Sequence, residues 1–250
     1  MKHISQKHHN CKIQENLRHW KSKPLLKKIY IRFYNNISKY LQYDDPGCIV
    51  EIGAGIGNLR SVISECLCTD LFPNPWIDQV ENAYELSFSD SSISNLVLFD
   101  VWHHLKFPGS ALKEFYRVLI PRGRVIIFEP DISILGFIVY GLFHTEPINF
   151  TQPIQCIVPN NFSSIGQKYY CVQGNATRIF CLDKYLKQIS DWKQVITQRI
   201  SSISYVTSGG YGRPQLYPDL FLPFLSFIDR ILNNFLVIFS TRMLVVLEKK

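Results

Sequence analysis

The stretch Val50-Glu51-Ile52-Gly53-Ala54-Gly55-Ile56-Gly57-Asn58 decides the fold class of this chain of 250 residues. A short apolar strand, Cys48 to Ile52, runs directly into three glycines, and a helix is predicted from about Leu59 to Ser64. Glycines allow a sharp turn and the close approach of a ligand, and the helix start offers free N–H groups. The stretch therefore predicts a strand, a ligand-binding turn and a helix, as in an α/β fold.

The spacing of these glycines separates two classes of ligand. A dinucleotide-binding turn has its third glycine where this chain has Asn58. A carboxylate at Glu51 would also repel a pyrophosphate, whereas it suits a ligand that carries an amino group and a sulfonium. Both residues argue against a nicotinamide-dependent oxidoreductase, which remains an alternative function.

Outward from this turn, apolar segments alternate between strand and helix patterns. Strands are predicted at 66–70, 78–81, 95–99 and 124–129, and a helix at 110–119. Beyond residue 130 we predict helices at 132–143, 182–189 and 220–239, an irregular segment at 147–177, and strands at 195–206 and 243–248. This alternation predicts a parallel sheet with right-handed crossovers.

The N-terminal part is basic and helical in pattern. Residues 1–43 hold ten of the 27 Lys and Arg residues but one of the 20 acidic residues, and apolar positions over 13–43 predict two helices divided at Pro24. The charge is either a solvated helix face or a contact for anionic lipid or a phosphate-bearing substrate. We predict a basic arm or lid at 1–44 and a main domain at 45–250, with inserts at 132–180 and 208–240.

Histidine and cysteine usage bears on metals and on location. His3, His8, His9 and Cys11 are interpreted as part of an unstructured polar tail, and no metal ion is expected. The seven cysteines lack disulfide-like spacing, and no apolar leader follows the N-terminus, so a cytoplasmic setting is expected. No segment is expected to span a membrane. The helix predicted at 220–239 has one wide apolar face, with Asp229 on the opposite side.

The motif at 51–57, acid-x-Gly-x-Gly-x-Gly, resembles motif I of the class I S-adenosylmethionine-dependent methyltransferases. Residues 82–92, 96–105 and 114–123 resemble the type-11 family of these enzymes in order and spacing, so the resemblance covers 48–130. One departure is Arg122, where the family has glycine, and it is tolerable if the position does not need a positive φ. The resemblance implies a Rossmann-like α/β fold: seven mostly parallel strands, helices on both faces, and an antiparallel last strand.

The resemblance also implies S-adenosylmethionine as cofactor and a set of residues that bind it. These residues are Glu51, Gly53, Ala54, Gly55, Gly57, Asp70, Leu71, Asn82, Ala83 and Phe99. Asp70 would accept hydrogen bonds from the ribose hydroxyls, and Asn82 and Ala83 would border the adenine. The candidate catalytic residues, as base or acceptor-orienting groups, are His103, His104, His144 and Glu146.

The expected function is methyl transfer to a small-molecule, sugar or lipid-linked acceptor, by O- or C-methylation. A non-catalytic adaptor on the same fold is a further alternative. Nucleic acid is not expected as a partner, because no Asn/Asp-Pro-Pro-Tyr motif follows the fourth strand. If the apolar face of 220–239 is exposed instead of packing on the sheet, we expect peripheral contact with an anionic membrane, on its inner face.

Overall fold

Seven strands form the central sheet in a computed structural model that describes residues 6–143, 146–159, 170–182, 185 and 189–250. The strands are β1 (Cys48–Ile52), β2 (Leu67–Asp70), β3 (Gln79–Val80), β4 (Ile93–Phe99), β5 (Leu119–Pro130), β6 (Trp192–Ser201) and β7 (Ser240–Lys249). Their order is β3-β2-β1-β4-β5-β7-β6, and β7 runs antiparallel to both of its neighbours while the others are parallel. This confirms the predicted fold class, including the antiparallel last strand.

Helices cover both faces of this sheet. They are α1 (Gln6–Ser22), α2 (Pro24–Ser38), α3 (Pro108–Val118), α4 (Ile134–Phe143), α5 (Asn175–Cys181), α6 (Ile203–Thr207), α7 (Leu222–Leu232) and α8 (Leu236–Phe239). One core cluster joins the sheet to α3 and α5 through residues such as Phe115 and Ile179. A second joins the opposite face to α2 through residues such as Ile29 and Phe33. No helix among the described residues has the length and apolarity needed to cross a membrane.

The N-terminal arm is helical as predicted, and Pro24 begins its second helix. The unstructured tail predicted around His8, His9 and Cys11 is wrong, however, because α1 begins at Gln6, and His3 lies outside the described residues. His9, on the first turn of α1, lies 3.3 Å from Asp70 through its Nε2 atom and contacts the ring of Phe72. A long-range contact of this kind leaves no periodic signal in a sequence.

The helix predicted at 59–64 is wrong, because only a short 3-10 helix at Asn58–Ser61 follows the glycines. Few residues separate it from β2, and Arg60 stabilises this connection by donating to the carbonyl of Cys66.

Arg122 is expected to be tolerated only if its position does not need a positive φ, and this condition is not met. Its φ is +66°, so the position takes the left-handed conformation at a cost of about 1–2 kcal/mol.

The strand predicted at 195–206 ends at Ser201, because α6 begins at Ile203. The carboxylate of Asp229 accepts the backbone N–H of Ile203 and the hydroxyl of Ser204. Unpaired N–H groups at a helix start need acceptors of this kind. An acid on α7 therefore fixes where β6 stops.

The single helix predicted at 220–239 is divided into α7 and α8 by residues 233–235. The assignment of its faces is also wrong. Asp229 is buried because it caps α6, so the opposite side of α7 is exposed to solvent. Part of the segment predicted as irregular at 147–177 and most of 182–189 lie outside the described residues.

Candidate functional site

The glycine turn after β1 provides an open space at the carboxyl edge of the sheet. Gly53, Gly55 and Gly57 all have positive φ, at +73°, +57° and +65°. A Cβ at Gly53 would lie 2.5 Å from Val101, whereas a Cβ at Gly55 would meet no atom within 4 Å. Gly53 is therefore needed for packing, and Gly55 faces a space that a ligand can enter.

Glu51 places a buried carboxyl group directly under this turn. Its side chain is 4% exposed, and its Oε2 accepts a weak hydrogen bond from the thiol of Cys68 at 3.6 Å. Burial raises the pKa of Glu51 well above its usual value, and nearby Cys68 and Asp70 raise it further. A cationic ligand beside Glu51 would favour the ionised form and reverse that cost.

Asp70 ends β2 beside the same turn. One of its carboxylate oxygens accepts the N–H of Gly55 at 3.0 Å, and the other accepts the N–H of Leu71 at 2.7 Å. The second oxygen also lies 3.3 Å from Nε2 of His9. Burial alone would lower the pKa of His9, but its hydrogen bond and charge interaction with Asp70 outweigh that effect and raise it.

The other residues predicted to bind the cofactor lie around this edge. Ala54 donates its N–H to Thr69 and completes the turn. Asn82 accepts the N–H of Tyr84 after β3, and Ala83 is buried beside it. Phe99 lies in the aromatic layer under α2, stacked on Phe128 with ring centroids 5.0 Å apart. Leu71 is half exposed at the end of β2.

A second group of polar side chains follows β4, on the turn that packs against Gly53. His103 is buried, and its Nδ1–H donates to Oε2 of Glu129, on β5, at 2.6 Å. The other oxygen of Glu129 accepts the N–H of Trp102 at 2.6 Å. Burial by itself would lower the pKa of His103, but the charge of Glu129, with hydrogen bonds to Cys171, Glu129 and Glu146, raises it well above its usual value.

His104 and Glu146 complete this group. Nδ1–H of His104 donates to the carbonyl of Tyr170 at 3.2 Å. Burial, and then the charge of His103, lower the pKa of His104 to about 3. Glu146 lies 3.4 Å from His103 and 3.9 Å from His104, measured to the Nε2 atoms, and accepts the amide of Gln173 at 2.8 Å. Three of the four predicted catalytic residues are thus brought together, and His144 lies outside the described residues.

Arg242, which is buried, and Asp100, which directly follows β4 and is partly exposed, form an ion pair. Arg242 is the third residue of β7, is 1% exposed, and approaches Oδ1 of Asp100 at 2.6 Å without hydrogen-bond geometry. Its guanidinium faces the rings of Phe33, Phe99, Phe128 and Tyr205, with the nearest centroid at 4.7 Å. Asp100 has a φ of +57°, a strained conformation of a kind that is concentrated at functional sites.

Sequence reasoning missed Glu129, Asp100, Arg242, Cys171 and His9. Glu129 and Asp100 had a usable signal, since each is an acid that ends an apolar strand at the carboxyl edge. Arg242 is a single charge at the start of an apolar strand. Cys171 and His9 carry no local pattern that would indicate their partners.

Comparison with known proteins agrees with this geometry. Residues 50–127 match the family model described as "Methyltransferase domain", type 11. A polyketide synthase of Dictyostelium discoideum is 26% identical over 78 residues, which are 30% of this chain and 3% of that protein. The chain therefore spans a small fraction of the length of that relative.

Solved structures share the fold. An S-adenosylmethionine-dependent methyltransferase from Thermotoga maritima is 15% identical, with a TM-score of 0.55 over 95% of this chain and 99% of the other. One from Archaeoglobus fulgidus is 13% identical, with a TM-score of 0.55 over 93% and 98%. A geranyl diphosphate C-methyltransferase from Streptomyces coelicolor is 9% identical, with a TM-score of 0.54 over 89% and 80%.

Residues 50–127 match the type-11 methyltransferase domain, and the whole chain has the fold of class I methyltransferases. This match and the shared fold support the predicted enzyme class, an S-adenosylmethionine-dependent methyltransferase, and its cofactor. The residues present also fit this cofactor. The space at Gly55 is open to a ligand, the buried carboxyl of Glu51 has the charge that would suit the cofactor's ammonium group, and Asp70 ends the strand beside them.

Proposed function

We propose that this chain methylates a lipid-linked or similarly apolar small molecule that it takes from the surface of an anionic membrane. One observation carries the proposal. A large apolar surface is exposed beside the carboxyl edge of the sheet, where ligands of open α/β sheets lie.

On the donor side, Glu51 would bind the ammonium group of S-adenosylmethionine and Asp70 the ribose hydroxyls, above the space at Gly55. The bound cofactor supplies an already activated methyl group, so the protein mainly holds two reactants in line and excludes water. The contact of His9 with Asp70 supports a lid role for the arm at 1–44. His9 would have to give way, or share Asp70, when the ribose binds.

On the acceptor side, His103, His104 and Glu146 would position the reacting group. They follow β4 and α4, and Val101, on the same turn, packs against Gly53. The neutral imidazole of His104 and the carboxylate of Glu146 can accept a hydrogen bond from a hydroxyl, which favours oxygen as the methylated atom. Asp100, which pairs with Arg242, directly precedes Val101 on this turn, and its carboxylate can orient a polar head group.

The apolar surface is formed by α4, α7, α8 and the residues just before α7, and we call it the α4–α7 surface. α4 and α8 pack on each other, and Ser133 donates to the carbonyl of Ile238. Its exposed side chains are Ile134, Phe137, Ile138, Leu142, Phe143, Leu220, Phe221, Phe224, Phe227, Ile231, Phe235, Val237 and Ile238. Exposed patches of this extent mark interaction sites on soluble proteins.

The surface joins the site and is bordered by positive charge. Tyr140, on the inner side of α4, donates to the carbonyl of Thr241, the neighbour of Arg242. Lys28 pairs with Asp219 at 3.1 Å, and Arg32 contacts Ser226, so the basic face of α2 borders α7. Apolar side chains flanked by exposed cations complement a bilayer with anionic head groups. That complementarity favours a membrane over a second protein as the occupant.

We expect the chain to co-sediment with vesicles of phosphatidylserine and phosphatidylcholine at low ionic strength, and added salt should weaken the binding. Replacing both Phe224 and Phe227 with serine should reduce vesicle affinity by roughly tenfold or more, because large apolar side chains leave the interface. Tyr43→Ser is the matched control, since Tyr43 is as exposed but lies before β1 at the opposite edge of the sheet.

Two outcomes would overturn this proposal. The first is no vesicle binding at low ionic strength by the folded protein, which would indicate a diffusible acceptor. The second is a dimer in light scattering that the two serine substitutions convert to a monomer, with vesicle binding unchanged. In that case the α4–α7 surface would be an interface between two copies of the chain.

A further inference from the structure

We propose that His103, His104, Glu146 and Cys171 bind a divalent transition-metal ion, with zinc favoured by the donor set. One donor atom from each residue lies within 4.8 Å of all the others, and His103 and Cys171 are buried. Two imidazoles, a thiolate and a carboxylate are the ligand types that zinc takes in proteins. The sequence predicted no metal site, because these residues are separated along the chain.

The distances between donor atoms suit a tetrahedral ion. Zinc bonds of about 2.0–2.3 Å place neighbouring ligand atoms roughly 3.3–3.8 Å apart. Nε2 of His103 lies 3.4 Å from Oε2 of Glu146, and Nε2 of His104 lies 3.9 Å from Oε1. The four donor atoms lie within 4.8 Å of one another, so shifts of up to about 1 Å would bring them onto such a shell.

The surrounding hydrogen bonds orient these donors. Both histidines use Nδ1–H to donate, His103 to Glu129 and His104 to the carbonyl of Tyr170, so both Nε2 atoms are directed to Glu146. A carboxylate or carbonyl behind each imidazole is the usual support of a metal-binding histidine. The amide of Gln173 holds Glu146 from the other side.

The proposed ligands come from three separate segments. The histidines lie after β4, Glu146 lies after α4, and Cys171 lies shortly before α5. Backbone bonds already join these segments, from Val172 to the carbonyl of His103 and from Gln173 to that of Pro147. An ion here would hold both ends of the insert against the sheet edge, beside the proposed acceptor position. A bound ion would occupy the Nε2 atoms of both histidines and the carboxylate of Glu146, so in the metal-bound chain these residues would orient the acceptor through the ion and not as free hydrogen-bond acceptors.

The test measures metal directly and needs no turnover. We expect the purified full-length chain to retain about one zinc per molecule after dialysis against metal-free buffer. After chelation, added Co²⁺ should give the absorption of a tetrahedral site and a thiolate charge-transfer band. Cys171→Ser should remove that band and weaken Co²⁺ binding at least roughly tenfold, and Glu146→Gln should weaken it with the band retained.

Two cysteine variants serve as controls for this assignment. Cys48→Ser, at an exposed position before the donor turn, should leave the spectrum unchanged. Cys68→Ser probes Glu51, Cys66 and Cys68, a second group of nearby potential ligands. The proposal is overturned if the folded wild type binds neither zinc nor Co²⁺. It is equally overturned if Cys68→Ser, and not Cys171→Ser, removes the charge-transfer band.

Discussion

Replacing Gly55 with valine is expected to abolish binding of S-adenosylmethionine and S-adenosylhomocysteine while the chain stays folded. A Cβ at Gly55 would enter a space with no protein atom within 4 Å, so the added side chain would meet the ligand and not the core. The substitution also forces a β-branched residue to a φ of +57°, which costs about 1–2 kcal/mol. Calorimetric titration with S-adenosylhomocysteine measures the loss.

Gly55→Ala separates the two effects of this substitution. Both variants carry the backbone cost of the left-handed conformation, but the methyl group of alanine fills much less of the space. We expect a weakened but measurable affinity for Gly55→Ala and the same circular dichroism spectrum for both variants. Normal binding by a folded Gly55→Val protein would remove the glycine turn from the proposed donor site.

Replacing Glu51 with glutamine is expected to lower donor affinity and, at the same time, to stabilise the free protein. An amide cannot pair with the donor's ammonium, and losing a hydrogen bond to a charged group costs about 1.5–3 kcal/mol, roughly a 10- to 150-fold loss of affinity. In the free protein, burial penalises the ionised carboxyl of Glu51, and glutamine removes that penalty. A gain of roughly 1 kcal/mol would raise the Tm by about 2–4 °C.

The stabilisation expected from Glu51→Gln depends on pH, because the pKa of Glu51 is raised in the folded protein. An acid whose pKa is higher in the folded state than in the unfolded state costs stability as the pH rises from the unfolded pKa to the folded one. The stabilisation by Glu51→Gln should therefore be present at pH 7 and vanish towards about pH 4, where the unfolded carboxyl is also protonated. Thermal unfolding of the free proteins at several pH values measures it.

Glu248 is a matched control for Glu51. It is also a buried acid on a strand, but it pairs with Arg124 and Lys193. Burial would raise the pKa of Glu248, but these hydrogen bonds and charges lower it overall. Glu248→Gln should therefore destabilise the protein and leave donor affinity unchanged. A Glu51→Gln protein that is less stable and binds the donor normally would contradict the role assigned to Glu51.

Local sequence patterns were sufficient for the sheet and for the donor turn. β1, β4 and β5 are apolar runs long enough to be buried, and the acid and glycines of the donor turn lie within the seven consecutive residues 51–57. Residues that end parallel strands meet at one edge of the sheet. This rule also predicts where Asp70, His103 and His104 lie.

Long-range contacts account for what the sequence did not predict. Asp229 caps a helix that begins 26 residues earlier, so α7 turns its polar residue inwards and its phenylalanines outwards. Hydrophobic spacing identifies an apolar face but does not say whether another element needs the opposite one. His9, Cys171 and Arg242 likewise have partners distant in sequence, and only the folded chain brings them to the site.

The most direct test of the central claim is calorimetric titration of the unaltered chain with S-adenosylhomocysteine and, separately, with NADH. The buried carboxyl of Glu51, the space at Gly55 and the strand-end carboxylate of Asp70 predict binding of S-adenosylhomocysteine with one site per chain and no binding of NADH. Binding of NADH alone, or no binding of S-adenosylhomocysteine by the folded protein, would contradict the claim that this edge of the sheet is a methyl-donor site.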